Sequence, residues 1–220
     1  MLKVGLTGGM ASGKSVVGEM LVALGAHLVQ ADRIAHELMQ PGQSVYDEVV
    51  EHFGRDILQQ PDGSVNRAKL AELAFGSTAF GDGRVSPAPS RVEELNRIVH
   101  PAVIRRQEGW MEEVGRRDPH AVAIVEAALI IEAGAVKQFN RLIVVTCGDE
   151  QRVARFAARQ KINLDISQKE VARRMAAQLS ETEKSKVADY VIDNSGSLDK
   201  TREQVRQVWK LLQAEADTTH

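Results

Sequence analysis

The sequence predicts an α/β fold in which a parallel five-stranded sheet is flanked by helices. Short apolar runs, rich in β-branched residues, alternate with stretches in which apolar residues recur every three or four positions. Two of the runs, Ala121–Val125 and Leu142–Thr146, are continuously apolar, which is typical of strands buried on both faces of a parallel sheet. Strands that alternate with helices along the chain favour parallel pairing over hairpins.

Five strands and the helices between them follow from these patterns. The predicted strands are Leu2–Thr7, Ala26–Ala31, Ala121–Val125, Leu142–Thr146 and Tyr190–Asp193. A helix is predicted to begin at Asp32 as its N-cap, and Gly25 ends the helix before it. The other predicted helices are Lys14–Leu24, Gln43–Phe53, Arg67–Phe75, Arg91–Arg117 (interrupted or kinked at His100-Pro101), Gln151–Arg159, Ser167–Leu179 and Leu198–Ala214. Gly76–Ser90, with three glycines and two prolines in 15 residues, is predicted to be a flexible loop.

Composition narrows the class of protein. The 220 residues suit one domain, and 28 Lys plus Arg against 30 Asp plus Glu give a net charge of −2. No basic excess indicates nucleic-acid or anionic-membrane binding. The single cysteine, Cys147, excludes an internal disulfide and a Cys-rich zinc site. The most apolar stretch is interrupted by Glu126 and Glu132, so it is not suited to span a bilayer. We therefore expect a soluble cytoplasmic protein without a signal peptide, and no obligate protein partner is indicated.

A glycine-rich loop carries the strongest chemical signal. Gly8–Ser15 matches G-x-x-x-x-G-K-[ST], with a strand before it and an amphipathic helix after it. Such a loop turns backbone N–H groups towards phosphate oxygens, and the helix dipole adds positive potential. Lys14 supplies a charge for the β and γ phosphates, and the Ser15 hydroxyl suits Mg²⁺. The loop predicts that a nucleoside triphosphate binds together with Mg²⁺, at Gly9, Ala11, Ser12, Gly13, Lys14, Ser15 and Val16.

Carboxylates near the predicted sheet edge are candidates for acceptor chemistry. Asp32 follows the second strand, where ligands of open α/β sheets bind. It could accept the proton of an attacking hydroxyl, cap a helix, or do both. His36, four residues later, shares a helix face with it and is either an anion ligand or a surface residue. Glu126 and Glu132 flank the end of the third strand, and either could orient Mg²⁺ or contact the acceptor.

Arginines and one asparagine lie in the C-terminal part of the chain. Arg152, Arg155 and Arg159 recur at steps of three and four along one helix, with Arg173 and Arg174 on the next. Guanidinium groups in such a row could neutralise a migrating phosphoryl group, or the row could be a solvated basic face. Asn194 could read an adenine edge, or it could be a turn residue.

Taken together, these segments resemble the dephospho-coenzyme A kinase family. The segments that carry the resemblance run through nearly the whole chain in the family's order. They are Gly5–Ser15, Gln30–Gly42, Phe53-Gly54, Asp62–Leu70, His100-Pro101, Leu129–Glu132, Gln151–Arg159, Arg173–Gln178 and Ala188–Ser197. Many families share the phosphate loop, whereas the aspartate-bearing second segment and the terminal ADYVIDN segment are much more specific.

The resemblance implies a P-loop NTP hydrolase fold with a core at about 1–40, 118–150 and 186–220. It also implies a helical acceptor-binding region at about 41–117 and a lid at about 151–185. The implied reaction is phosphorylation of the ribose 3′-hydroxyl of dephospho-CoA by ATP, the last step of coenzyme A synthesis. Within that reaction Asp32 falls on the catalytic base, and Lys14 and Arg159 offset charge on the phosphoryl group. His36, Arg67 and His100 fall on the acceptor side, and Asn194 falls near the adenine.

Some positions depart from the family's pattern. Gln30 stands where the family has the first aspartate of D-A-D, Ala128 replaces a proline, and Ile131 replaces a phenylalanine. The Gly76–Ser90 loop is longer than usual, and Lys161-Ile162-Asn163 interrupts the lid pattern. Three rival hypotheses stay open: another small-molecule kinase with the same loop, a P-loop switch protein, and a kinase disabled at Gln30. The sequence has no N-K-x-D motif, which disfavours a GTPase.

Overall fold

The computed structural model describes residues 1–75, 77–79, 85–87, 90–176 and 178–218, which fall into two compact units. The first unit comprises Met1–Gln30 and Trp110–His220, and the second comprises Ala31–Gly109. Along these described ranges, no helix combines the length and the hydrophobicity that a membrane crossing requires. Among the predicted elements, Arg67–Phe75 and Tyr190–Asp193 have the bounds expected from the sequence.

A parallel sheet forms the centre of the first unit and confirms the predicted fold class. Within the described residues it has five strands: β1 (Leu2–Gly8), β2 (His27–Gln30), β5 (Val122–Glu126), β6 (Arg141–Thr146) and β7 (Tyr190–Asp193). Their order across the sheet is β2-β5-β1-β6-β7, and each neighbouring pair is parallel. Because β1 lies in the middle, the loop that follows it emerges at the centre of the sheet's carboxyl edge.

The helices that lie wholly in the first unit are α1 (Lys14–Ala23), α6 (Asp149–Gln160), α7 (Leu164–Met175), α8 (Glu181–Lys186) and α9 (Leu198–Thr218). Two of them, α1 and α9, cover the sheet with apolar faces. In α9 the buried residues Val205, Trp209 and Leu212 recur at helical spacing and join the core with Val17 and Leu21 of α1. The spacing that predicted these helices is therefore the spacing that buries them.

The predicted helices of this unit differ from the observed ones by one to four residues at their ends, and α8 was not predicted. The stretch predicted as Ser167–Leu179 is α7, which begins earlier because the Asn163 side chain accepts a hydrogen bond from the N–H of Ile166 at 2.8 Å and caps the helix. The next helix, α8, begins with a capping box in which Ser180 and Glu183 bond each other's backbone N–H groups.

The second unit is mainly helical. It contains α2 (Ala31–Leu38), α3 (Ser44–Phe53), α4 (Arg67–Phe75) and the antiparallel strands β3 (Ser77–Ala79) and β4 (Val85–Pro87). The prediction of a flexible loop over Gly76–Ser90 is wrong at Ser77–Ala79 and Val85–Pro87, because their backbones pair as two short strands. The other residues of that loop, apart from Ser90, lie outside the described residues.

Two further predictions about helices are corrected. Because α2 begins at Ala31, Asp32 lies in the first turn of the helix and is not its N-cap. The helix α5 (Val92–Arg117) runs without interruption through Pro101, so the predicted interruption at His100-Pro101 is wrong, whereas the alternative of a kink there stays a prediction. An acidic side chain in a first turn still interacts favourably with the helix dipole, which is consistent with Asp32 at this position.

Candidate active site

The phosphate loop, Gly8–Ser15, joins the end of β1 to the start of α1. Three of its residues have positive φ, Gly8 at 155°, Gly13 at 94° and Ala11 at 55°. A Cβ at Gly13 would overlap the side-chain amide nitrogen of Asn194, so both the backbone conformation and the close packing require glycine there. Lys14 and Ser15 then form the first turn of α1, as the motif predicts.

Side-chain donors hold the carbonyl groups of the loop. Lys14 Nζ donates to the carbonyls of Gly8 at 2.9 Å and Gly9 at 3.1 Å. The Ser12 carbonyl accepts from the side-chain amide of Asn194 at 2.8 Å and from Arg155 at 3.2 Å. In a trans peptide the C=O and the following N–H point in opposite directions. Because the Ser12 carbonyl points towards these donors, the N–H of Gly13 points away from them. This is the orientation that an N–H group needs in order to bind a phosphate oxygen.

Two further contacts complete this backbone anchoring. The buried guanidinium of Arg152 donates to the carbonyl of Met10. The thiol of Cys147, at the end of β6, lies 3.8 Å from the carbonyl oxygen of Ala11. Burial raises the pKa of the Cys147 thiol, which keeps it protonated and able to act as a weak donor. The role of Cys147 beside the loop was missed by sequence reasoning, since a single cysteine gives no spacing signal.

A carboxylate lies beside the Ser15 hydroxyl. Glu126, the last residue of β5, is 8% exposed, and its Oε1 accepts from Ser15 Oγ at 2.8 Å. Its other oxygen, Oε2, accepts from the side-chain amide of Gln30 at 2.8 Å. Gln30 and Glu126 are register partners on neighbouring strands, which explains why two residues 96 positions apart meet. The unusual residue Gln30 thus fixes the carboxylate of Glu126 and adds no second negative charge.

The predicted row of arginines on α6 divides into two parts. Arg152 is buried, and Arg155 donates to the backbone carbonyls of Ser12 and Asn194. Arg159, by contrast, is exposed, with its guanidinium 5.8 Å from the centre of the Phe156 ring. Arg174 of α7 lies 5.3 Å from the same ring, and its Nη1 is 3.8 Å from the Met10 sulfur. Of the five arginines predicted here, Arg159, Arg173 and Arg174 are exposed and so remain accessible to a phosphate.

Asn194 is placed against the loop rather than at the surface. It is 2% exposed, and both ends of its amide are bonded within the protein. Nδ2 donates to the Ser12 carbonyl, and Oδ1 accepts from the Thr201 hydroxyl at 3.0 Å. This arrangement supports nucleotide binding through the loop, whereas contact of this side chain with adenine stays a prediction.

The four candidate residues of the second unit are all exposed. Asp32 and His36 lie one turn apart on α2, and the Gln40 amide nitrogen is 3.4 Å from the His36 ring. Arg67 is the first residue of α4, directly after Asn66, whose side chain accepts from the N–H of Ala68 at 3.1 Å. His100 precedes the proline inside α5. Their exposure leaves their charged and polar groups available to a ligand.

Comparison with known proteins identifies relatives along almost the whole chain. The family model described as dephospho-CoA kinase matches residues 2–200. Dephospho-CoA kinase of Symbiobacterium thermophilum is 39% identical over 208 residues, which cover 94% of this chain and 80% of that protein. The crystal structure of TT1252 from Thermus thermophilus is 27% identical, with a TM-score of 0.74, and covers 100% of this chain and 98% of its own. A dephospho-CoA kinase structure from Campylobacter jejuni, 22% identical with a TM-score of 0.65, covers 97% of this chain and 98% of its own and shows the same fold.

Proposed function

This chain belongs to the dephospho-CoA kinase family, and from that membership we propose that it phosphorylates the ribose 3′-hydroxyl of dephospho-CoA with ATP. The products are coenzyme A and ADP, so the reaction is the final step of coenzyme A synthesis. The observation that carries this proposal is the family match over residues 2–200, since it includes the phosphate loop, Asp32 and the segment around Asn194.

The phosphate loop supplies the binding site for ATP in this proposal. Its carbonyls are already bonded to side chains, so its N–H groups need little reorganisation to receive phosphate oxygens. Lys14 adds a positive charge near the β and γ phosphates, and the positive end of the α1 dipole adds to it. Most of the rate gain in phosphoryl transfer comes from such positioning and charge stabilisation.

Magnesium is the metal that suits the groups beside the loop. Ser15 and Glu126 offer a hydroxyl and a carboxylate at one point, and Mg²⁺ is commonly held by one or two such oxygens together with substrate phosphates. Within the described ranges, no three His, Cys, Asp or Glu side chains are grouped to hold a metal by themselves. We assign Ser15 as the ligand and Glu126 as the acid that orients it. When bound, the ion would neutralise charge on the β and γ phosphates.

Asp32 is proposed as the general base. Its exposed carboxylate can hydrogen-bond the attacking 3′-hydroxyl and take its proton as the phosphoryl group is transferred. His36, in the core segment at about 1–40, and Arg67 and His100, within the region at about 41–117, are proposed to bind the acceptor. Arg159, in the proposed lid at about 151–185, offsets negative charge on the migrating group.

The proposal is tested with purified protein, Mg-ATP and dephospho-CoA, following ADP release and the mass of the acceptor. We expect ADP release that depends on dephospho-CoA and one phosphate added to the acceptor. Asp32→Asn should lower kcat by more than about 100-fold, because a positioned general base contributes at least that much. The dissociation constant for ATP should stay within about twofold, since the variant leaves the phosphate loop intact.

A matched control is Asp199→Asn, which changes an exposed acidic residue in the first turn of α9, outside the proposed acceptor-binding region. Its kcat should stay within about twofold of wild type, because loss of a first-turn charge affects mainly helix stability. Asp32→Asn with normal turnover would contradict the assigned role of Asp32. ADP release without the acceptor, or phosphate transfer only to a different small molecule, would contradict the proposed reaction itself.

A further inference from the structure

A buried arginine holds the outer side of the phosphate loop. Arg152 has a side chain only 1% exposed, although arginine is rarely buried without partners. Its guanidinium donates to the carbonyl of Met10, to the carbonyl of Cys147 at 3.2 Å and to the carboxylate of Glu181. We propose that Arg152 and Glu181 form a positioning pair that fixes the phosphate loop for ATP and that neither side chain touches the nucleotide. This inference rests on the ATP binding proposed above.

The packing against the loop is close. A Cβ at Gly9 would lie 2.6 Å from Arg152 Nη1 and 3.3 Å from Glu181 Oε1. Gly9 is a variable position of the motif, so the guanidinium behind it gives a separate reason for glycine there: any larger residue would have to displace Arg152. The carbonyl of Met10, held by Arg152, sets the orientation of the next N–H, that of Ala11. One guanidinium thus determines both which residue fits at position 9 and where a donor of the loop points.

Glu181 is the first residue of α8, and this short helix is held in place at both ends. The capping box of Ser180 and Glu183 fixes the start of this short helix. Near its other end, Lys184 is fully buried and pairs with Glu132 at 2.8 Å. Glu132 also accepts from the N–H of Leu179 at 3.2 Å, just before the helix. A carboxylate anchored in this way can keep a buried guanidinium in one orientation, which a solvent-exposed partner could not do.

Arg152 differs from the exposed arginines in the contacts that its guanidinium makes. Its terminal nitrogens are bonded to two backbone carbonyls and one carboxylate, so a phosphate would have to displace existing partners. Arg159 is exposed and does not make these contacts. Loss of Arg152 should therefore weaken binding of the triphosphate by leaving the loop less ordered, while the chemical step with bound ATP stays close to normal.

The experiment compares wild type, Arg152→Met and the control Arg202→Met, which removes an exposed arginine paired with Asp199 on α9. For each protein we would measure the dissociation constants of ATP and adenosine by calorimetry, the melting temperature, and kcat and KM. In Arg152→Met, ATP should bind at least about tenfold more weakly, which corresponds to about 1.4 kcal/mol. Adenosine, which has no phosphate, should bind within about twofold of wild type, and kcat at saturating ATP should stay within about threefold. Arg202→Met should match wild type in every measurement.

Different results would overturn either the positioning role of Arg152 or the proposed function itself. A folded Arg152→Met protein that binds ATP as wild type does overturns the positioning role. A large loss of kcat with an unchanged KM for ATP overturns it too, because Arg152 would then contact the migrating group. Wild-type protein that binds no ATP overturns the proposed function as well. If Arg152→Met does not fold, Arg152→Lys takes its place with the same expectations, because lysine keeps the charge beside Glu181 but lacks the planar fork that bridges three acceptors.

Discussion

Replacement of Asn194 by alanine removes a buried amide that ties the phosphate loop to α9. Two hydrogen bonds disappear, from Nδ2 to the Ser12 carbonyl at 2.8 Å and from the Thr201 hydroxyl to Oδ1 at 3.0 Å. Each is worth about 1 kcal/mol. The side chain is 2% exposed, so its truncation also leaves a small cavity. The free energy of unfolding should fall by roughly 2–3 kcal/mol, which lowers the melting temperature of a chain of this length by about 5–10 °C.

The effect on ligand binding distinguishes a loop-anchoring role from base recognition. The Ser12 carbonyl keeps one donor, Arg155 at 3.2 Å, so ATP should bind more weakly but not be lost. The affinities for ATP and for GTP should fall by the same factor, because the Asn194 amide bonds to the loop and not to the base. Calorimetric titration of both nucleotides at 25 °C, together with thermal unfolding, measures these quantities.

The control is Asn163→Ala, which removes the N-cap of α7. That variant should lose about 1 kcal/mol of stability, the usual value for a cap, with unchanged ATP affinity. An Asn194→Ala protein with the same melting temperature as wild type would show that the two hydrogen bonds do not stabilise the fold. If the preference for ATP over GTP disappeared while the melting temperature stayed the same, the anchoring role would be refuted in favour of base recognition.

Two further predictions concern groups around the loop. Glu126→Gln should raise the Mg²⁺ concentration needed for half-maximal turnover by about tenfold or more, because this is the usual effect of losing a group that orients a metal ligand. An unchanged Mg²⁺ requirement would contradict the role assigned to Glu126. The affinity for ATP without metal serves as the control. Cys147 should react with iodoacetamide at pH 8 far more slowly in the native protein than in urea. Burial raises the pKa of its thiol and so lowers the fraction of reactive thiolate, and equal rates in the two states would contradict this reasoning.

Local patterns were sufficient for the elements and for the phosphate loop. The apolar runs predicted all five strands of the sheet within two residues at each end. For the three central strands the reason is burial, because a strand covered on both faces leaves a continuous apolar stretch in the sequence. The loop could be predicted because its ligand-binding geometry depends on consecutive residues, from Gly8 to Ser15. The bounds of α7 and the start of α8 were missed, since both depend on side-chain caps at Asn163 and Ser180 that compete with many other polar residues.

The sequence by itself thus determined the fold class, the phosphate loop and a set of candidate side chains. Only the tertiary structure decided what each side chain contacts. Arg152 and Arg159 are equivalent in a helical pattern, yet packing of α6 against the loop buries the first and leaves the second exposed. Gln30 departs from its family's pattern, and only the pairing of β2 with β5 shows that its amide fixes Glu126. The physical reason is that local spacing sets secondary structure, whereas burial and long-range hydrogen bonds depend on which elements the topology brings together.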